Sequence, residues 1–224
     1  MKKHIYILLV VFCTLFVTTL NAQHRRVTIT NGIGLQGGVT QFDIISDNLI
    51  TKKGNGWLGG MAATVDLPNK WYNISYNIQL SENNLEVAAT APLGSTEEYL
   101  EYNILMAQIA LMGHVKIIGS YLTIDVGPMI QYSGELQLQD EAKGNYALSG
   151  DNSLTADELS DISKFNVNSV VGLSAGFGNI KLRFQYIYGL TNILNNVNSS
   201  SNLSGQDKIK GNQSLLAFTA MLTF

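Results

Sequence analysis

The chain has 224 residues, a length that suits one domain better than two. Charged residues make up 14% of it and the formal net charge is −3, which argues against a nucleic-acid-binding protein, while the apolar content is too high for a disordered chain. Apart from residues 5–20, no apolar run is long enough for a membrane helix, so a helical membrane protein is excluded.

The beginning of the chain has the organisation of a secretory signal. Lys2 and Lys3 precede the apolar stretch 5–20, and Ala22 stands just before a polar segment. This arrangement predicts a signal peptide of residues 1–22 that is cleaved after Ala22. A single transmembrane anchor is the alternative, but the stretch is short for one, because about 20 apolar residues are needed to span a bilayer.

Residues 23–224 are predicted to form one all-β domain. The single cysteine, Cys13, precedes this domain, so no disulfide or thiol chemistry is expected. Apolar and polar residues alternate after residue 22, which is the pattern of strands with two different faces. Eight such segments follow one another, at residues 27–40, 57–67, 71–80, 99–115, 121–138, 164–177, 180–191 and 213–224.

Each segment has one large apolar face and one small or polar face. In segment 180–191, Leu182 and Phe184 alternate with Lys181 and Arg183. The interior of an eight-stranded barrel is just wide enough for side chains, so bulky aromatic residues would overfill it. We therefore predict that the small polar face points into the lumen and that the apolar aromatic face points to lipid.

Segment 99–115 is the least regular of the eight. Its apolar residues up to Met106 occupy one parity, and those from Ile109 onward occupy the other. A β-bulge near Ala107 or Gln108 would restore the register. A strand buried on both faces is the alternative.

The connections between the segments alternate in length without exception. The tight ones lie at 68–70, 118–120 and 178–179, and the long polar ones lie at 43–56, 81–98, 139–163 and 195–212. Transmembrane barrels have short periplasmic turns and longer outer loops. The sequence therefore predicts an all-β, eight-stranded antiparallel up-and-down transmembrane β-barrel with four long outer loops.

Three segments resemble those of the small outer-membrane β-barrel proteins of Bacteroidetes-type bacteria, the "porin family" or PorT-like group. They are the terminal strand ending at 220–224, the segment 186–193 and the segment 99–102. The resemblance covers the whole mature chain. It implies a bacterial outer-membrane location reached through the periplasm, with outer-membrane lipid as a partner, and it does not imply one activity.

The end of the chain resembles the signal by which the outer-membrane assembly machinery recognises its clients. Phe224 is preceded by alternating apolar residues, and the resemblance makes Phe218, Leu222 and Phe224 the assembly signal. The assembly machinery is therefore an expected partner.

Six charged residues are predicted to form a charge network in the lumen. They are Asp66, Glu101, Asp125, Glu135, Lys181 and Arg183. Asp66, Asp125 and Arg183 each lie a few residues from a tight turn, so we expect them at similar heights. The network could be an ion-selective constriction, but in so narrow a barrel we favour ion pairs that neutralise buried charge, because an unpaired buried ion is very costly.

No catalytic, cofactor or metal site is predicted. His114 is expected at the end of its strand near the tight turns, away from the outer rim where a barrel lipase would need a base beside a serine, so a Ser-His-Asp arrangement is not expected. The acidic segment 139–163 matches no EF-hand spacing and is expected to be a solvated loop. Within it, Thr155 and Glu158 fit a capping box and predict a short helix over 156–163.

Three functions are compatible with these features. The first is a non-enzymatic surface barrel that binds a protein or surface ligand through its outer loops, including the exposed Asn- and Ser-rich segment 195–212, or that anchors an envelope assembly. The second is a narrow pore for ions or small solutes. The third is a membrane enzyme acting on lipid or peptide. We rank them in that order and expect a monomer.

Overall fold

The structure, a computed structural model, describes residues 30–92, 94, 96–150, 154–200 and 208–224. The predicted signal peptide, residues 1–22, lies outside the described residues. The described part contains ten strands, two single 3₁₀ turns and one short helix, α1 (Asn195–Ser200). The strands are β1 (Thr30–Ser46), β2 (Thr51–Asp66), β3 (Tyr72–Thr90), β4 (Glu97–Ile118), β5 (Leu122–Ser133), β6 (Gln137–Leu138), β7 (Ala147–Leu148), β8 (Phe165–Phe177), β9 (Ile180–Gly189) and β10 (Gly211–Thr223).

Eight of these strands close into a ring in the order β1-β2-β3-β4-β5-β8-β9-β10. Every pairing is antiparallel, and β10 returns to β1 with Gly38 opposite Thr219. Neighbours in the ring are neighbours in sequence, apart from the two-residue strands β6 and β7, which pair with the outer ends of β4 and β3. The predicted eight-stranded antiparallel up-and-down β-barrel is therefore confirmed.

The tight turns lie together at one end of the barrel, which we call the turn end. Lys70 N–H donates to the carbonyl oxygen of Leu67 at 2.9 Å between β2 and β3. The other two turns place Gly119 and Gly178 at φ of +51° and +59°, a conformation that glycine adopts without steric cost. The other four connections lie at the opposite end, the loop end.

The alternation of the strands places the two faces as predicted. On β9, Leu182 and Phe184 point outward and are 47% and 48% exposed, whereas Arg183 between them is 2% exposed. The same alternation runs along β10, where Phe218 points outward and Thr219 is buried. Small polar residues therefore line the interior and large apolar residues cover the outside, as in transmembrane barrels.

The predicted β-bulge near Ala107 or Gln108 is wrong. The pairing of β3 with β4 keeps one register from Tyr72 opposite Val115 to Thr90 opposite Glu97. The apolar residues change parity because the strand passes from one environment to another. Leu100, Tyr102, Ile104 and Met106 face a buried apolar interior, and Ile109 and Leu111 face outward.

The strands extend further toward the loop end than the sequence indicates. Most of the connection predicted at 43–56 is β-structure, because β1 runs to Ser46 and β2 starts at Thr51. The connection at 81–98 is likewise reduced to residues 91–96, so the β3–β4 hairpin projects beyond its neighbours. The two other connections keep their length and fold over the ring.

These two connections cover an apolar core at the loop end. The strands contribute Phe42, Ile44, Leu85, Val87, Leu100, Tyr102 and Ile104, and the connections contribute Leu136, Leu148, Leu154, Leu159, Ile162, Ile193, Leu194, Val197 and Ile209. We call this part of the barrel the loop half; on β3 it starts at Glu82 and on β4 it ends at Ile104. The remainder, with its polar interior, is the turn half.

Candidate functional site

Five glutamine side chains cross the barrel interior in a continuous hydrogen-bonded chain, the glutamine ladder. Each is at most 6% exposed. Their amide groups are joined from Gln36 to Gln79 (3.0 Å), Gln79 to Gln108 (2.7 Å), Gln108 to Gln131 (2.8 Å) and Gln131 to Gln213 (2.6 Å). An amide can donate and accept at once, so a row of them satisfies itself without water. The glutamine ladder therefore crosses the lumen from β1 to β10.

Glycine on β2 lets the glutamine ladder pass from β1 to β3. Gly60 lies between Gln36 and Gln79 in the strand register. A Cβ atom at Gly60 would stand 2.7 Å from Cβ of Gln79, where Cβ contacts are essentially never found. The two glutamines thus meet over a strand that has no side chain at this point.

Below the ladder, toward the turn end, a buried carboxylate collects several donors. Asp125 is 0% exposed and accepts hydrogen bonds from His114 Nδ1 (2.7 Å), Thr123 Oγ1 (2.7 Å) and Ser174 Oγ. Arg183 Nε lies 3.8 Å from Asp125 Oδ2 and donates to Ser174 Oγ at 3.3 Å. Because the carboxylate is hydrogen-bonded and faces a cation, the desolvation cost of burying its charge is offset.

Arg183 joins this cluster to the ladder. Its Nη1 donates to Oε1 of Gln36 at 3.1 Å, so one connected polar network includes both the charged cluster and the amide chain. Asp125 and Arg183 come from β5 and β9, two strands apart in the ring. The structure therefore brings together two of the six charged residues singled out in the sequence.

The same cluster contains a serine–histidine–aspartate relay that the sequence analysis did not expect. Ser75 Oγ lies 2.7 Å from His114 Nε2, and His114 Nδ1 lies 2.7 Å from Asp125 Oδ1. These contacts match those of a hydrolase triad. Ser75 is 0% exposed, however, and two cavities bordered by His114 are not lined by Ser75. The buried serine hydroxyl pairs with His114, which in turn is paired with Asp125.

Two other predicted network residues lie closer to the turn end. Asp66 Oδ1 accepts a hydrogen bond from Lys116 Nζ at 3.1 Å, and the same ammonium donates to the carbonyl oxygen of Leu67 at 2.9 Å. Lys181 is half-buried and lines the same opening as Asp66. These residues surround a vestibule rather than joining the buried cluster directly.

The prediction that Glu101 and Glu135 face the lumen is wrong. Glu101 is exposed and stands opposite Glu86 on the outside of the β3–β4 hairpin. Glu135 is exposed beyond the end of β5, 3.6 Å from Lys164 Nζ. The error has one physical cause: the loop half has an apolar interior, so its charged residues lie outside.

The connections of the loop end are more ordered than their composition indicates. In segment 195–212, which we expected to be exposed, Asn198 and Ile209 are buried and exchange two hydrogen bonds of 2.7 and 2.9 Å; residues 201–207 lie outside the described residues. In the acidic connection, Glu158 accepts from Thr155 N–H at 2.9 Å, as in a capping box. The predicted helix is reduced to one 3₁₀ turn, Glu158–Ser160.

Among the described residues, no three His, Cys, Asp or Glu side chains are arranged to hold a metal ion. Within the same part of the chain, no helix is long and apolar enough to cross a membrane.

The three residues predicted to form the assembly signal lie on the outside of the last strand or directly after it. Phe218 and Leu222 are 49% and 45% exposed on β10, and Phe224, which follows it, is 70% exposed. Phe224 N–H donates to the carbonyl oxygen of Ile33 at 2.8 Å, so the last residue is still paired with β1.

The comparisons with known proteins yield structural likenesses only. No family model and no curated protein matches the chain. Neisserial surface protein A is similar with a TM-score of 0.48 and 8% identity, over 88% of this chain and 99% of that one. An outer membrane channel from Pseudomonas putida F1 is similar with a TM-score of 0.28 and 12% identity, over 92% and 98%. The PorT-like group is not confirmed, and the fold assignment rests on the strand pairing itself.

Sequence reasoning missed the glutamine ladder and the role of His114. The signal for the ladder was available, because Gln36, Gln79, Gln108 and Gln131 each occupy an inward position on a strand. What the sequence does not contain is the stagger between strands that brings these positions into contact. For His114 the missing information was its alignment with Asp125 across β4 and β5.

Proposed function

We propose that this protein is a non-enzymatic, non-conducting β-barrel of the bacterial outer membrane whose loop end carries a partner-binding or anchoring surface. One observation carries the proposal: the interior is filled by the glutamine ladder and, beyond it, by the apolar core under the connections 134–164 and 190–210. A filled lumen leaves the loop end as the place where a partner can be engaged.

The outside of the turn half supports the membrane location. On β4 the apolar outward positions run from Leu105 to Val115, close to the roughly 9–11 residues that a tilted strand needs to cross the hydrocarbon layer. At the loop-end boundary of this belt, Trp57 Nε1 donates to Glu82 at 2.9 Å and Asn103 donates to the same carboxylate at 3.0 Å. Amphipathic aromatic residues of this kind are typical of the membrane–water interface.

The outside of the loop half supports an exposed location for the proposed binding surface. Its outward positions include polar and charged residues, as at Lys53, Asn84, Glu86 and Glu101. In the orientation typical of such barrels, the short turns face the periplasm and the longer connections face outward. The projecting β3–β4 hairpin would then stand above the membrane, rigid enough to present a fixed surface.

Conductance tests the filled lumen. We expect refolded mature protein in a planar bilayer to show no discrete current steps, provided that heat-modifiable gel mobility confirms folding. Reproducible steps would contradict the proposal and favour the narrow-pore alternative, in which Asp125 and Arg183 would be the residues to mutate for ion selectivity.

Cysteine labelling tests the location and the orientation. The single native cysteine, Cys13, lies in the predicted signal peptide. Once that peptide is removed, a cysteine introduced into the barrel is the one thiol that a maleimide can label. We expect Lys53→Cys at the loop half to react with a membrane-impermeant maleimide on intact cells, and Asn69→Cys in a tight turn to react only after lysis. The reverse result would show that the barrel has the opposite orientation. If neither residue is labelled before lysis, the proposed location at the cell surface is wrong.

A further inference from the structure

The turn end of the barrel opens into a vestibule of about 290 Å³ that is lined by Thr64, Asp66, Asn73, Lys181 and neighbouring turn residues. Behind it lies a second cavity of about 10 Å³, room for about one water molecule, bounded by His114, Ser174 and Arg183. Asn73 and Lys181 line both spaces. The vestibule therefore reaches inward as far as the buried charged cluster and stops there.

Lys181 lines this space without a close ion pair among the described residues. No hydrogen bond or ion pair of the described residues involves its ammonium group, although Asp66 lines the same vestibule. Asp66 is already engaged by Lys116, and Asp125 by Arg183 and His114. Among the described side chains, three cations thus face two carboxylates around this end of the lumen, which leaves Lys181 without a side-chain carboxylate of its own.

A second polar group points into the same space. Asn73 is 2% exposed, and its Oδ1 accepts from Leu67 N–H at 3.0 Å. Its amide nitrogen has no acceptor among the described residues. The strand register places Asn73 directly opposite His114, and it places Lys181 on β9 next to Arg183. An amide donor and an ammonium group, neither with a hydrogen-bond acceptor among the described residues, therefore line the same opening.

We propose that this vestibule binds a singly charged oxyanion, a carboxylate or a phosphate group, between Lys181 and Asn73. A charge-assisted hydrogen bond from the ammonium group and a neutral one from the amide would satisfy both donors. A cation is disfavoured there by Lys181, and an uncharged ligand would leave the excess charge without compensation. The site is separate from the loop-end surface of the proposed function, and it does not depend on that function.

The test is a titration of uniformly ¹⁵N-labelled full-length mature protein in phosphatidylcholine nanodiscs with sodium phosphate and with sodium acetate at constant ionic strength. We expect the side-chain amide signals of Asn73 and the backbone signal of Lys181 to shift saturably with at least one of the two salts. Lys181→Gln should weaken this binding about tenfold or more, because a hydrogen bond to a charged group is lost. Lys53→Gln, at the other end of the barrel, should bind like the unaltered protein.

A gain-of-affinity variant keeps the proposal testable if Lys181→Gln fails to fold. Asp66→Asn removes the negative charge that shares the vestibule, so it should bind the same probe more tightly. Shifts that grow linearly without saturation, or that are unchanged in both Lys181→Gln and Asp66→Asn, would overturn the proposal.

A lipid arm distinguishes the two sources of a phosphate group. If the site takes a lipid headgroup, replacing part of the phosphatidylcholine by phosphatidylglycerol should shift the same signals and reduce the response to inorganic phosphate. If it takes a free anion, the lipid replacement should leave both the signals and the titration unchanged. Saturable binding together with no bilayer current would support both the non-conducting barrel and the anion site. Saturable binding together with current steps would contradict only the non-conducting barrel.

Discussion

The two halves of the barrel differ in which side of the wall is apolar. In the turn half of β3, Ile78 faces outward and Asn77 faces inward; in the loop half of the same strand, Leu85 faces inward and Asn84 faces outward. β4 makes the same exchange between Asn103 and Met106. On these two strands, the turn half has its apolar side chains on the outside, as in a membrane protein. The loop half has them on the inside, as in a water-soluble protein.

This difference shows that the face on which a side chain lies is independent of whether that face is apolar or polar. The pairing of β3 with β4 keeps its register through the whole exchange, so every side chain keeps the face that the pleat assigns to it. In the proposed membrane location, what changes is the medium outside the barrel, and with it the kind of residue that each face can carry. The exchange occurs at Glu82 and Asn103, beside the hydrogen bond from Trp57 Nε1 to Glu82.

The largest effect is expected from a substitution in the polar interior of the turn half. Arg183→Met removes the cation that faces the buried Asp125 carboxylate, so we expect a loss of roughly 3–5 kcal/mol in the free energy of unfolding. Urea unfolding in lipid vesicles measures it. The double variant Arg183→Met, Asp125→Asn should lose less, because no unpaired charge is left. A single variant as stable as the unaltered protein would show that the pair does not stabilise the interior.

The second prediction compares the outside of the two halves on one strand and one face. Ile78→Arg places a charge in the apolar belt and should cost roughly 2–4 kcal/mol near mid-membrane. Asn84→Arg, three outward positions further along β3, should cost close to nothing because water surrounds it. The same vesicle unfolding measures both. Similar costs for the two variants would mean that the membrane boundary is not at Glu82.

The fold was predictable from sequence because two strong constraints agreed. Alternation identified all eight strands, and the three tight turns identified one end, whereas two of the four connections predicted to be long, 43–56 and 81–98, are mostly β-structure. The assignment of faces held in the turn half, as Leu182 and Arg183 show. A narrow lumen admits only small or polar residues over much of its length, so composition alone decided which face turned inward.

The interior site was predictable only in part, for a geometric reason. Asp125 and Arg183 could be placed together because both follow tight turns by a few residues. Glu101 and Glu135 were misplaced because inward polarity was assumed along the whole strand, whereas the connections cover an apolar core at the loop end. That cover depends on contacts between residues far apart in sequence, such as Tyr102 and Ala156, which alternation does not encode.

The third prediction concerns the cover of the loop half. The Tyr102 hydroxyl donates to the buried carbonyl oxygen of Ala156 at 2.9 Å, so Tyr102→Phe leaves that oxygen without its donor and should cost about 1–3 kcal/mol. Tyr76→Phe, on the exposed apolar belt, is the matched control and should be nearly neutral. Hydrogen exchange should show faster opening of residues 154–162 in the first variant alone. Equal protection in both variants would mean that this bond does not hold the cover.

The smallest predicted effect is a pH dependence at the outer edge of the cover. Lys143 Nζ donates to Glu98 Oε2 at 2.9 Å; this hydrogen bond lowers the pKa of Glu98 from its ordinary 4.5 and raises that of Lys143 from its ordinary 10.5.

Each direction of shift sets one limit of the pH window for this pair. The lowered pKa of Glu98 gives stabilisation that is present above pH 4.5 and is lost as the pH falls through the pKa of the folded state. The raised pKa of Lys143 gives stabilisation that is present below pH 10.5 and is lost as the pH rises through the pKa of the folded state. Both groups are exposed, so overall unfolding should hardly respond. Amide protection of residues 140–146, corrected for intrinsic exchange, should fall at the acidic limit and lose that dependence in Lys143→Met. An unchanged pH profile in this variant would show that the pair does not tether the 139–163 connection to the β3–β4 hairpin.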